Sequence, residues 1–147
     1  MKPLALLSFS LLTSCSSMKS SYPEGITVNK VVTTGNSKVD NHGNAMDWIA
    51  MNFNNSNQVV KVNDKERGKI VLKGLIDCTV NNAGASIEVK LGLNLLITSK
   101  DKQVDISMPN ITSTDGWNYP RNEEQANQVK ACLNEKMTLP IETALAK

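Results

Sequence analysis

The sequence predicts an α+β domain, one mostly antiparallel sheet of five strands with two helices on a single face. The clearest sign lies between Ser86 and Ile97. There Ile87, Val89, Leu91, Leu93, Leu95 and Ile97 alternate with Ser86, Glu88, Lys90, Gly92, Asn94 and Leu96, and strict period two over that length marks a strand buried on one side. Two other segments repeat apolar residues at helical spacing, and packing their stripes against the apolar side of a sheet buries both.

Taken in order, the elements run β-α-β-β-β-β-α. Ile26 to Thr34 is rich in Val and Thr and reads as the first strand. Ser37 followed by Asp40 fits a helix-capping pattern, and Val39, Met46, Ile49, Ala50 and Phe53 then form an inward stripe, with Trp48 packed beside it. Asn54-Asn55-Ser56-Asn57 ends this helix. Gln58 to Asn63 is the second strand, Asp64 to Gly68 a turn, and Lys69 to Val80 the third strand, with Ile70, Leu72, Ile76, Cys78 and Val80 on one face. The alternating run is the fourth. After a turn at Ser99-Lys100-Asp101-Lys102, the fifth places Val104, Ile106 and Met108 inward until Pro109 weakens the ladder. Asn122 to Met137 reads as the second helix, with Glu123 and Glu124 in its first turn and Ala126, Val129, Leu133 and Met137 inward; Pro140 ends or restarts it.

On this reading the other face of the sheet meets water through Lys69, Val71, Lys73, Leu75, Asp77, Glu88, Lys90 and Asp105. Their mixed signs suit cross-strand pairing.

The amino terminus carries a different message. Lys2 precedes an apolar run from Leu4 to Leu12, interrupted only by serine, and then Leu12-Thr13-Ser14-Cys15. This is the layout of an export signal, and the run is far shorter than the roughly 20 residues that span a bilayer as a helix. Leu12-Thr13-Ser14-Cys15 resembles the lipobox of bacterial lipoproteins, which implies cleavage before Cys15 and acylation of that cysteine. Two or more chains anchor a protein stably where one holds it marginally. Ser16, by the same resemblance, implies the outer membrane, facing the periplasm, in a cell with two membranes. The competing reading is a soluble secreted protein in which Cys15 is an incidental thiol. The expected organisation is a lipoprotein signal over 1–14, a lipidated cysteine and flexible tether over 15–25, and a single domain over 26–147.

The 147 residues are 40% hydrophobic and 20% charged with net charge +2, values of an ordinary globular chain. Removing the first 14 leaves 133 residues and, with Lys2 lost, 15 basic against 14 acidic side chains, a net of +1. That balance offers no phosphate-neutralising patch, so nucleic acid is not an expected partner.

The order of elements, together with Ala45-Met46-Asp47-Trp48-Ile49-Ala50-Met51-Asn52-Phe53, Val59-Val60-Lys61-Val62-Asn63-Asp64, Gly68-Lys69-Ile70-Val71 and Lys73-Gly74, resembles an uncharacterised family of bacterial envelope proteins with a TBP-like fold. The similarity covers roughly Ile26 to Val129. It implies a curved sheet backed by helices, and no catalytic motif comes with it; fold analogy does not carry function.

Chemistry-bearing residues are few. The one histidine, His42, lies in the glycine-containing first turn of a helix, where a partly buried structural role is expected. Cys78 and Cys132 fit no metal spacing, and Asp77, Glu88 and Asp105 are expected to pair with lysines rather than to share a proton. No catalytic residue, metal or cofactor is assigned, and the chain is not expected to be an enzyme. With Cys15 lipidated, Cys78 and Cys132 remain for an oxidising compartment, one on the apolar face of a strand and one beside an inward stripe, so a disulfide or two buried thiols are the alternatives. In Asp115-Gly116-Trp117-Asn118-Tyr119-Pro120-Arg121, the residues Trp117, Tyr119 and Arg121 could stack on a sugar or anchor a protein, or one ring could fold back as a hydrophobic staple. Leu75 adds apolar surface on the open face. The expected function is a membrane-anchored envelope module that binds without catalysis, its ligand unidentified; the alternatives are an accessory subunit of an envelope complex and, third, an enzyme.

Overall fold

A computed structural model describes Tyr22 and residues 25–114 and 119–147; the expected signal over 1–14, Cys15, most of the expected tether and Trp117 lie outside the described residues. The strands are β1 (Ile26–Thr33), β2 (Val60–Asp64), β3 (Lys69–Asn82), β4 (Ala85–Lys100) and β5 (Gln103–Ile111). They form one antiparallel sheet in the order β1-β5-β4-β3-β2. The expected α+β class and five-stranded sheet are therefore present.

β2 to β5 follow one another as a meander, whereas β1 joins at the far edge, beside β5. The chain must then cross the sheet to reach β2, and α1 (Lys38–Asn52) lies within this connection. Its 15 residues rise about 22 Å. Its first residue already reaches the turn after β2, where Lys38 Nζ donates to the Glu66 carbonyl at 2.8 Å, and Phe53, just past its end, lies beside Gly74 of β3, so the helix runs largely along the strands. Ser37 caps it, accepting a hydrogen bond from the Asp40 backbone N–H, as the sequence predicts.

The inward phase of α1 differs from the expected stripe. Asn41, His42, Ala45, Trp48 and Ile49 are buried, while Val39 is 50% exposed and Ala50 is exposed. Buried polar contacts help fix this phase: Asn41 Nδ2 donates to the Lys100 carbonyl at 2.9 Å, and His42 Nε2 lies 2.7 Å from Asn63 Oδ1. A count of apolar residues alone cannot see such contacts.

Three boundaries also shift. Ser56–Val59 forms a short helix, α2, so β2 begins at Val60 rather than Gln58. Pro109 does not end β5. The strand reaches Ile111 through a bulge, where the register on β1 jumps from Met108 opposite Val28 to Ile111 opposite Ile26 and Asn110 takes φ +54°. The carboxy-terminal helix is α3 (Glu123–Leu133), a π turn (Asn134–Thr138) and α4 (Leu139–Leu145) in continuous succession. In the π turn the Leu139 N–H reaches back five residues to the Asn134 carbonyl, and this wider turn carries the helix past Pro140, which cannot donate a hydrogen bond.

α1 lies over β4 and β5, α3 over β3, and α4 against α1, all on one side of the sheet. The core between the layers includes Ile70, Leu72, Val89, Leu91, Leu95, Ile97, Val104, Ile106 and Met108 from the strands and Ile49, Val129, Leu133, Ile141 and Leu145 from the helices.

Candidate interaction surface

The side of the sheet away from the helices is covered by no element among the described residues. Its rows follow from the register. Val62 stands opposite Val71, Val71 opposite Leu96, and Leu96 opposite Ser107, which pairs with Asn29 on β1. This places three apolar side chains next to one another across β2, β3 and β4, with Val62 41% exposed. Ser107 Oγ and Asn29 Oδ1, 2.7 Å apart, end the row in a polar pair.

Leu75 heads a second row and is 59% exposed. It stands opposite Gly92, and beyond Gly92 the chain leaving β5 runs alongside β4: Gly92 N–H donates to the Thr112 carbonyl at 2.9 Å, and Thr114 N–H to the Lys90 carbonyl at 2.8 Å. Gly92 carries no side chain, and a Cβ there would come within 3.3 Å of Thr114 Cγ2. A shallow gap thus separates Leu75 from Thr114, from which the chain continues into 115–118.

Of the three carboxylates expected to pair with lysines, Asp105 does so. Asp77 stands opposite Lys90, and Asp64 opposite Lys69. Lys100 bridges to Asp105, which also accepts from Gln103 Nε2 at 2.6 Å; the Lys100 hydrogen bond, and then that of Gln103, hold the Asp105 carboxyl below its ordinary value. Glu88 is opposite Thr79, so Asp77, Glu88 and Asp105 sit on separate rows rather than as a carboxyl pair.

Tyr119 is not a surface residue, in contrast to the expectation that it helps form a binding loop. It is 2% exposed, its backbone N–H donates to Ser113 Oγ at 3.0 Å and its carbonyl accepts from Ser113 N–H at 3.2 Å, which turns the ring into the core. Arg121, half-buried, lies with its guanidinium 4.9 Å from the centre of that ring and donates its backbone N–H to Gln125 Oε1, so its role here includes packing at the start of α3. The ring that folds back is Tyr119. Cys78 and Cys132 form a disulfide.

The outer edge of β3 continues past its pairing with β2, which ends at Leu72. Side chains of the carboxy-terminal helix occupy part of it: Gln128 Oε1 accepts from Asn81 N–H at 2.7 Å, Gln125 Nε2 donates to the Asn81 carbonyl at 3.3 Å, and Lys136 Nζ donates to the Asp77 carbonyl at 2.6 Å. These contacts block strand addition there, a common protection of sheet edges. Gly92 is the site residue that sequence reasoning passed over. An isolated glycine inside a strand, a sign of close approach, is the signal that could have found it.

This architecture and topology agree with comparisons to known proteins. Residues 30–114 match the family described as a domain of unknown function (DUF4468) with TBP-like fold. The chain belongs to that family. Among solved structures, a DUF4468 family protein from Bacteroides ovatus ATCC 8483 superposes with TM-score 0.62 at 11% identity, over 90% of this chain and 92% of that one. A TBP-like protein from Parabacteroides distasonis ATCC 8503 gives TM-score 0.62 at 12% identity, over 82% and 93%. At such identities the likeness concerns the fold. No match is found among the curated proteins. Among the described residues, no helix is long and apolar enough to cross a membrane.

Proposed function

We propose that this DUF4468 protein is a lipid-anchored module of the cell envelope that binds a partner, without catalysis, through the uncovered side of its TBP-like sheet. The lipid anchor rests on Leu12-Thr13-Ser14-Cys15, and Ser16 favours the outer membrane, facing the periplasm, in a cell with two membranes. One observation carries the binding role: Leu75, 59% exposed, beside the side-chain-free Gly92 and two rows along the sheet from the Val62, Val71 and Leu96 row, with Lys73 and Asn94 between them. A purely solvated sheet face has no need of that apolar surface, which suits a moderate, partly polar contact.

The anchor is tested by Cys15→Ala, which should lose palmitate label and leave the membrane fraction or persist as precursor; equal labelling of the mutant would refute it. The binding face is tested by crosslinking in intact envelopes. Leu75→Lys and Val62→Lys should fold, by circular dichroism, and lose the crosslinked partner, whereas Lys130→Glu on the exposed side of α3 should keep it. The opposite pattern would place the contact on the helices.

A further inference from the structure

On the helix side, two neighbouring hollows share Trp48 and Asn52 as a common wall. One, ≈ 340 Å³, lies between α1 and α4 and has a mixed lining that includes Asn44, Asp47 and Thr143. The other, ≈ 210 Å³, is walled mainly by Phe53, Leu75, Ile76, Leu93 and Met137, and so opens at the outer edge of β3. Opposite Leu93, a wall residue of this apolar chamber, stands Gly74. A Cβ there would lie 3.9 Å from Phe53 Cε1, so a larger side chain would press on the ring, which itself meets Trp48 edge-on at 5.9 Å.

Three features of the chamber bear on what it accepts. Its apolar walls suit hydrocarbon. The one charge on its lining is a cation, Lys136, whose ammonium is held at the rim by the Asp77 carbonyl, a bond that uses one of its three donors. Trp48, in the shared wall, is 5% exposed, and its indole N–H is buried with no hydrogen-bond partner among the described residues. A buried donor left in that state is costly, and an oxygen acceptor brought in by an occupant would relieve it.

We infer that this cleft binds an acyl chain with oxygen at one end, the hydrocarbon among Phe53, Ile76, Leu93 and Met137 and the oxygen toward the wall of Trp48 and Asn52, its negative charge complemented by Lys136. A free fatty acid and the acyl chain of an anionic phospholipid share this chemistry. The cleft meets the uncovered sheet side at Leu75, so its test rests on Ile76 and Lys136, which the proposed partner-binding face does not include.

The full chain, solubilised in digitonin, whose steroid body has no alkyl chain, is photolabelled with decanoic acid bearing a terminal diazirine. Saturable labelling of tryptic peptides containing Phe53, Ile76 or Met137 is expected. A probe with the same chain and a trimethylammonium head should label at least about ten-fold less, because it sets like charges together at Lys136. Lys136→Glu, an exposed change, should reverse that preference, and Ile76→Trp should abolish labelling by filling the chamber. Competition by unlabelled decanoate or by dihexanoyl phosphatidylglycerol tells the two sources apart. Unsaturable labelling, equal labelling by both heads, or an unchanged preference in the folded Lys136→Glu variant would overturn the inference, whatever the crosslinking of Leu75→Lys shows.

Discussion

Cys78 in β3 and Cys132 in α3 are joined by a disulfide across 54 positions of sequence, with their Cα atoms 6.0 Å apart. The bond fastens the carboxy-terminal helix to the stretch of β3 whose outer edge Gln125, Gln128 and Lys136 cover. Replacing both cysteines by alanine should lower the unfolding free energy by about 2–4 kcal/mol, the upper figure being the chain-entropy value for a loop of this length. Urea denaturation of the two proteins measures the loss. Mass spectrometry of a non-reduced tryptic digest should show the two peptides linked, and two alkylatable thiols in freshly isolated protein would refute the bridge.

Gly68, in the β2–β3 turn, takes φ +66°, and a Cβ there would run into the carbonyl oxygen of Ser99, whose own N–H donates to the Gly68 carbonyl at 2.7 Å. Gly68→Ala should therefore cost about 2–4 kcal/mol, strain and collision together. Gly84, at φ +84° in the β3–β4 turn, faces open space, so Gly84→Ala should cost only about 1 kcal/mol. Thermal unfolding of the two variants separates collision from backbone preference; equal losses would show that the Ser99 contact is unimportant.

Asp105 predicts the acid response. Hydrogen bonds from Lys100 and Gln103 lower its folded pKa beneath the ordinary value. A depressed carboxyl contributes stability that is present above its unfolded pKa, about 3.9, and is lost as pH falls through the folded value. Wild type should lose more stability than Asp105→Asn as the pH drops from about 5 toward 2. Urea midpoints for both proteins across that window check the sign, and parallel curves would show that the pairing contributes nothing.

Much of the fold is legible in the sequence because burial on one face repeats at a fixed period. The alternation from Ile87 to Ile97 emerges as β4, and Ile70, Leu72, Cys78 and Val80 all point to the core, since successive strand residues face opposite sides. The capping of α1 by Ser37 was readable for a similar reason, as it involves residues three apart. Where polar contacts at long range compete with the apolar count, the reading slips. Asn41 and His42 take inward positions on α1 by bonding to Lys100 and Asn63, and Val39 is left outside. The wide turn before Pro140 has no comparable signal in composition.

The candidate surface was legible by halves. Leu75 reads as an exposed apolar residue from its own strand, and it is one. Only the assembled sheet sets it opposite Gly92, with Thr112–Thr114 on the far side, because a neighbour across strands depends on register and on where β5 ends. Tyr119 shows the converse. Its aromatic, polar surroundings suggest recognition, but the two hydrogen bonds between Tyr119 and Ser113 turn the ring into the core. The sequence by itself determined the strand and helix periods, the two cysteines available to pair and the lipobox-like Leu12-Thr13-Ser14-Cys15. Tertiary structure decided the pairing of β1 with β5, the phase of α1, and the cleft at Trp48, because each is set by contacts between residues far apart in the chain.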